Sequence, residues 1–240
     1  MSGKICIITG GSSGFGKETA RILAAQGEKV VITGRTENAL KKTAEEIHAD
    51  AYFAADVTKY GDWEKLRDFV MGKYGKLDLL CNNAGGGVSI VPMWEQTVEQ
   101  IDECLALNLT SVIYGCRAFI DVFKKQQSGT IFNIGSVCSE HGWPDMAPYT
   151  AAKFGVHGFT RSLYTELRPF NIRVSCLIPA ACSGTNFRAA AKMPAESIKA
   201  KTLLEPDNFA RAVVDVFNLP PHVVVERMTV WGIDQACEPL

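Results

Sequence analysis

The sequence predicts a doubly wound α/β fold: a parallel sheet of about seven strands with helices on both faces, in one domain over residues 1–240. Three observations predict it. Short runs such as ICIIT (Ile5–Thr9) and TIFNI (Thr130–Ile134) are apolar along their length, as strands buried on both faces of a parallel sheet are. These runs alternate with longer amphipathic segments from end to end, the pattern of right-handed βαβ crossovers. No composition break, linker or internal repeat divides the 240 residues, a length that suits one domain with a two-layered core.

In order, the first strand is Ile5–Thr9, and a helix at 15–26 opens after a glycine-rich turn. The second strand, Lys29–Thr33, leads to a helix at 37–47 that Thr36 is placed to cap. A short third strand, Ala51–Ala54, precedes the helical segment 59–74, and Leu77–Asn82 forms the fourth strand. A long helix at 97–125, a fifth strand at Gly129–Gly135 and a helix at 149–168 follow. Arg173–Ile178 and Val223–Thr229 supply the last two strands, with a helix at 206–217 between them. The stretch from 179, with its Ala, Ser, Gly and Pro, is expected to leave the sheet as a loop covering a substrate around 180–205.

Hydrophobic residues make up 47% and charged residues 21%, ordinary for a globular protein. A net charge of −1 and a pI near 6.4 give no electrostatic footprint for nucleic acid or an anionic membrane. No apolar run approaches the roughly 18 residues that span a bilayer. The first apolar run, Ile5–Ile8, is too short for the core of a signal peptide, so a cytoplasmic protein is expected. Of the eight cysteines, Cys6, Cys81 and Cys176 fall in strands, and Cys104 and Cys116 on one helix. With no C-x-x-C pair, they read as reduced, small apolar fillers, and no metal site is expected.

TGGSSGFG (Thr9–Gly16) joins the first strand to the first helix. Gly10, Gly14 and Gly16 let the backbone approach a pyrophosphate closely, and the helix N-terminus offers free N–H groups and positive dipole. A glycine turn alone is a weak signal. The strand before it and the helix after it point to a dinucleotide held by Gly10, Ser12, Ser13, Gly14, Phe15 and Gly16. No Gly-Lys-Ser/Thr follows, so it is not a P-loop.

With three further segments the chain resembles the short-chain dehydrogenases/reductases over essentially all of its length. These segments are NNAG (Asn82–Gly85), Gly135-Ser136, and Tyr149-x-x-x-Lys153, with Ser136 thirteen residues before Tyr149. The resemblance implies a Rossmann-like fold and hydride transfer between a nicotinamide cofactor and a carbonyl or secondary alcohol. Asn83, Ala84 and Gly85 would then touch the cofactor, and Asp56 and Val57 its adenine edge. A helical Tyr149 one turn before Lys153 could be a ring packed under a surface lysine. The resemblance implies instead that Tyr149 gives a proton to the carbonyl oxygen, its pKa lowered by Lys153, which also binds the nicotinamide ribose. Ser136 would polarise the substrate oxygen, and Asn108 would hold a water that relays protons to the lysine.

The second strand ends in Gly34-Arg35, where an NAD-specific protein would carry an acid for the ribose hydroxyl. Arg35 offers a charged fork for a 2′-phosphate, so NADP(H) is expected over NAD(H). After the sixth strand the chain departs from the family pattern. IPAACSGTNF keeps Pro179 but has Ala180 for glycine, Cys182 for a β-branched residue, and Thr185 one position late, so the carboxamide clamp formed by these four is expected to be rearranged.

Gly87 to Ile90, Val137 to Ser139, Trp143, Met146, Ala180, Ala181, Phe187 and Met193 are expected to line a mostly apolar pocket. Glu140, His141 and Arg188 are expected as solvated residues at its margin. That suits a neutral, hydrophobic ketone or alcohol such as a steroid or cyclic ketone. LPPHVVVERMTVWG near the C-terminus resembles family members acting on serine and small 3-hydroxy acids. A dinucleotide sensor without catalysis is the alternative from another class. Apolar faces on the two long helices, taken with the resemblance, imply a homodimer or homotetramer.

Overall fold

The wholly apolar segments become strands because only a sheet can satisfy their backbone groups while burying both faces. They are β1 (Ile5–Thr9), β2 (Lys29–Gly34), β3 (Ala51–Ala54), β4 (Leu79–Asn82), β5 (Gly129–Ile134), β6 (Ile172–Pro179) and β7 (Arg227–Val230). In the computed structural model, which describes residues 3–87, 89–187, 191 and 203–235, they form one sheet in the order β3-β2-β1-β4-β5-β6-β7. Every neighbouring pair is parallel. The order reverses between β1 and β4, and a doubly wound sheet opens its ligand crevice at the carboxyl ends of such strands.

Helices α1 (Gly14–Ala25), α2 (Glu37–Ile47), α3 (Tyr60–Tyr74), α4 (Val98–Leu105), α5 (Ser111–Gln126), α6 (Ala147–Leu167) and α7 (Pro206–Asn218) cover both faces. Strand periodicity sorts the core into two layers. On β1, Cys6 and Ile8 face one side, where Leu23, Leu40, Phe209 and Phe217 pack. Ile5 and Ile7 face the other, against Trp63, Leu66, Phe119, Phe123 and Leu163. The seven described cysteines are all free, and six of them are buried, as filler thiols should be.

Three elements differ from the sequence expectation. The fourth strand starts at Leu79, because the backbone of Leu77 is taken by the Gln126 side-chain amide, at 3.0 Å to its N–H and 2.7 Å to its carbonyl. The last strand starts at Arg227, four residues late. Val223 there donates into a turn with Pro220, and Val225 packs sideways onto the core, so the apolar run does not pair with β6. The long helix is continuous from Val98 to Gln126 but contains a π-turn, Ala106–Thr110. Among the described residues it is the one helix long and apolar enough to cross a membrane, with mean hydropathy 1.3. Counting uninterrupted apolar runs overlooked it. Val112, Cys116, Phe119 and Phe123 on it are buried in the protein core, so one face of this helix packs inside the protein.

Candidate active site

The glycine turn opens at the crevice. Gly10 and Gly14 have left-handed backbones, φ +65° and +52°. At Gly16 even a Cβ would lie 2.5 Å from both the Gly10 carbonyl and Asn83 Nδ2. Ser13, the cap residue of α1, makes no side-chain capping bond, and the first turn has no acidic residue. The first N–H groups of α1 are therefore left for an external anion. The Ser12 carbonyl accepts from Thr43, while its hydroxyl lies 4.0 Å from where a Gly34 Cβ would be. Phe15 turns its ring onto Phe209, centroids 4.8 Å apart. Its side chain belongs to the α1–α7 contact, leaving only its amide for a cofactor.

Thr9 clamps the floor of the crevice. Its Oγ1 accepts from the N–H of Asn83 at 2.9 Å and of Ala84 at 2.8 Å, and Asn83 Nδ2 donates to its carbonyl at 2.8 Å. Asn82 donates to Asn133 at 2.9 Å, and Asn133 to Thr160 at 3.0 Å, a buried polar chain from β4 through β5 to α6. Thr9, Asn133 and Thr160, which no motif singles out in the sequence, are part of this framework.

Gly85, Asn108 and Lys153 converge. A Cβ on Gly85 would stand 3.0 Å from Asn108 Oδ1 and 3.6 Å from Lys153 Nζ. Asn108, fully buried on the π-turn, accepts from the Gly86 N–H at 2.9 Å and donates to the carbonyls of Gly86 and Cys104. Its side chain braces the loop after NNAG. Lys153, 5% exposed, donates to the Ile134 carbonyl at 2.9 Å, and its Nζ sits 5.7 Å from the Tyr149 ring centroid. Tyr149 is 7% exposed.

Burial pushes the Tyr149 phenol well above its ordinary pKa, the nearby Cys138 adds to this, and a hydrogen bond from Ser136 opposes it. This corrects the expectation that Lys153 would lower it. The Lys153 ammonium is turned to the Ile134 carbonyl, and desolvation of the phenolate is the largest influence on Tyr149. Ser136 is held at the end of β5: its Oγ accepts from the Cys138 N–H at 3.2 Å, and its own N–H donates to Ser139 Oγ at 3.2 Å. With that lone pair used, the Ser136 hydroxyl is left as a donor, directed at the Tyr149 oxygen.

Around Tyr149 lie Cys104, Cys138, Trp143, Met146 and Phe187, the last with its ring edge-on at 5.3 Å. Phe187 and Ala191 also fold against Gly87, whose Cβ would meet Ala191 Cβ at 2.5 Å. Cys104 was overlooked as a wall residue. Val137 instead packs into the core with Val156 and Ile178, because the turn after Ser136 points it toward the sheet. Ser139 likewise turns its hydroxyl to Ser136. Glu140 is no solvated margin residue: it pairs with Arg227 Nη1 at 2.7 Å and accepts from Thr229 Oγ1 at 3.1 Å. Val88, Arg188 and Met193 lie outside the described residues, as does most of 180–205.

The segment after β6 is pinned rather than loose. The Ala180 N–H donates to Val230 at 2.9 Å, the Ala181 carbonyl accepts from Gln235 at 2.7 Å, and Cys182 bridges in parallel to Leu204. Burial pushes the Cys182 thiol up to about 12, and it donates to the Ser183 carbonyl, so it is a packing thiol rather than a nucleophile. Gly184, with φ +63°, absorbs the extra residue and brings Thr185 to the glycine turn, its Cγ2 3.4 Å from a Cβ on Gly14.

Arg35 is exposed at the rim of a hollow shared with Ala54, Ala55, Asp56 and Asp62. The Asp56 Oδ1 is taken by the N–H and hydroxyl of Thr58, at 3.0 and 2.7 Å. Burial would raise its pKa, but those bonds and the charges of Lys59 and Arg35 leave it lowered. Asp62 is engaged by the Asp56 N–H and by Lys65. Val57 is buried, its carbonyl held by Trp63. Arg35 itself has no ion-pair partner among the described residues.

A family model described as short chain dehydrogenase matches residues 4–195. The chain belongs to the short-chain dehydrogenases. This short-chain dehydrogenase is 30% identical over 233 residues to an uncharacterised oxidoreductase of Staphylococcus epidermidis, covering 95% of this chain and 96% of the relative. Its structure is similar to a serine dehydrogenase in closed form with NADP+ (TM-score 0.90, 26% identity, 97% and 96% of the two chains). It is also similar to a 3-ketoacyl-(acyl-carrier-protein) reductase of Brucella melitensis with NADH (TM-score 0.89, 31% identity, 97% and 98%). It is an NAD(P)-dependent oxidoreductase, and the uncapped, acid-free helix start behind the glycine turn fits a nicotinamide dinucleotide.

Burial holds the Lys153 ammonium of this dehydrogenase down to about 8 from its usual 10.5, against a smaller opposing pull from Cys176, Cys138 and Cys104. Between those values the unfolded chain binds a proton that the folded chain has released, so the stability linked to Lys153 rises with pH there. Below pH 8 the folded protein carries a buried charge, and this contribution is at its lowest. Urea denaturation at about pH 7.5 and 9.5 is expected to show wild type gaining on Lys153→Met as pH rises. Parallel changes in both proteins would mean that Lys153 titrates normally.

Proposed function

We propose that the protein is an NADPH-preferring oxidoreductase that interconverts a neutral, hydrophobic ketone and its secondary alcohol through Ser136, Tyr149 and Lys153. The observation that carries this is the apolar surrounding of Tyr149, packed by Cys104, Cys138, Trp143, Met146 and Phe187, with Lys153 the cation beside its ring at 5.7 Å. When bound, the nicotinamide supplies or accepts hydride at the substrate carbon. Tyr149 gives its proton to the carbonyl oxygen. Its raised pKa keeps the phenol protonated at neutral pH, the form that reduction needs. Ser136, its lone pair held by Cys138 and its hydroxyl beside Tyr149, would donate to the same oxygen. Lys153, held near 8, can carry charge beside the phenolate as it forms and return a proton to it. Asn108 holds the Gly86 loop against this group. Gly34 and the exposed Arg35, which has no ion pair among the described residues, support the preference for NADPH.

The likeness to a serine dehydrogenase favours a second reading, a small 3-hydroxy acid as substrate. A carboxylate would need a cation, and Lys153, 5.7 Å from the Tyr149 ring, is the one the structure places there among the described contacts. Exposed Phe154 (46%) and Ile113 (36%) on α6 and α5 support assembly into a homodimer or homotetramer. Free, buried thiols support a cytoplasmic setting.

A panel of cyclohexanone, acetophenone and a steroid ketone with NADPH, beside serine with NADP+, tests the proposal by absorbance of the reduced cofactor. Oxidation of NADPH by neutral ketones is the expected result. Turnover of serine with silent ketones would transfer the assignment to the acid, and turnover of neither would favour a dinucleotide-sensing protein.

A further inference from the structure

The turn that carries Ser136 is knotted internally. Ser136 N–H donates to Ser139 Oγ, Ser139 N–H to the Ser136 carbonyl at 2.7 Å, Cys138 N–H to Ser136 Oγ, and Glu140 N–H to the Val137 carbonyl at 3.0 Å. Those bonds fix the shape of the turn but not its tilt against the sheet. Val137 and Cys138 pack the turn from one side, and Glu140 ties its far end across β6 to β7, with Oε1 on Arg227 at 2.7 Å and Oε2 on Thr229 at 3.1 Å. Register supports this path: Arg227 pairs with Cys176 and Thr229 with Ile178, and Gly135 lies against both Cys176 and Ile178. The Glu140 side chain is 17% exposed and that of Arg227 48%. A carboxylate so covered is costly unless paired, while an ion pair this open contributes little to global stability. The feature is better explained by orientation than by stability.

We propose that Glu140 is a positioning residue: its bidentate anchor on Arg227 and Thr229 holds the Ser136 hydroxyl at the reacting oxygen. The inference rests on the Ser136-Tyr149-Lys153 reading above. A misplacement on the order of 1 Å at a reacting group can cost about 100-fold in rate.

The test uses cyclohexanone with saturating NADPH, and four readouts: kcat, KM for the ketone, NADPH affinity by fluorescence, and melting temperature. Glu140→Ala and Arg227→Met are each expected to lower kcat by about 10-fold, part of that limit, with NADPH affinity and ketone KM changed by less than about twofold. The double variant should be no slower than the slower single, since either change alone releases the anchor. Glu140→Gln, which keeps its shape and the Thr229 contact, should lie between wild type and Glu140→Ala, and Arg227→Lys should recover most of the Arg227→Met loss. Unchanged kcat in both single variants would overturn the proposal. So would losses that multiply in the double variant, or kcat and NADPH affinity falling together with the melting temperature. Tyr149→Phe is measured alongside. If it keeps near-native turnover the catalytic reading fails, whereas an inactive Tyr149→Phe beside fully active Glu140 variants defeats the positioning role alone.

Discussion

Tyr149→Phe is expected to lower ketone turnover by about 100- to 10,000-fold, the range over which a positioned general acid contributes. The loss is expected to fall on kcat and not on folding or NADPH binding. The ring keeps its edge-on contact with Phe187 and its place beside Cys104 and Cys138, because only the hydroxyl is removed. Steady-state kinetics beside fluorescence titration of NADPH checks both halves. Near-native turnover would mean that another group delivers the proton. Loss of turnover together with unfolding would return Tyr149 to a packing role. The adjoining Lys153 separates the two functions further. Lys153→Ala should damage turnover and cofactor affinity together, since the ammonium would serve both phenol and ribose.

The second large effect concerns the cofactor. A ribose 2′-phosphate carries close to two negative charges near neutral pH, and a charge-assisted hydrogen bond to it contributes about 1.5–3 kcal/mol, or about 10- to 150-fold in affinity. Arg35 can supply this bond, because the carboxylates sharing its hollow are occupied elsewhere, Asp56 by Thr58 and Asp62 by Lys65. NADPH is therefore expected to bind at least about tenfold more tightly than NADH at low ionic strength, with the ratio shrinking as salt rises. Arg35→Ala should remove most of the difference, and Gly34→Asp with Arg35→Ala should reverse it. The reversal is sterically accessible, because the nearest atom to a Cβ on Gly34 is Leu40 Cδ2 at 3.6 Å. Equal wild-type affinities, or an unchanged ratio in Arg35→Ala, would make Arg35 an ordinary surface residue.

Much of the architecture is legible along the chain because local and global preferences agree. ICIIT has to be a strand buried on both faces, and the structure pairs it on both edges, with β2 and with β4. Legibility fails where a distant partner overrides a local pattern. The valines at 223–225 read as strand by composition, yet the partner positions on β6 are met only from Arg227 onward. The amide of Gln126, 49 residues from Leu77, ends a strand that apolarity alone would extend. Helical periodicity cannot show one inserted residue, so the π-turn under Asn108 was hidden. At the site, residue identity is legible but environment is not. The Tyr149–Lys153 spacing predicts a cation beside a phenol, whereas the sign of the shift depends on burial supplied by Cys104, Cys138 and Phe187. Glu140 meets Arg227 across 87 positions, and a charge in a loop carries no local sign of such a partner.

The short bridge between Cys182 and Leu204 closes the excursion at its base, with Ser183 donating to Leu204 at 2.8 Å. Phe187 and Ala191, which touch Tyr149 and Gly87, lie inside that neck, whereas Ser136, Tyr149 and Lys153 lie outside it. Once the ends of a loop are held together, doubling its length costs only about 0.6 kcal/mol of closure entropy. By that arithmetic the strand order of the sheet is insensitive to the length of chain between the two sides of the neck. A change of length inside the neck would leave Ser136, Tyr149 and Lys153 where β5 and α6 hold them.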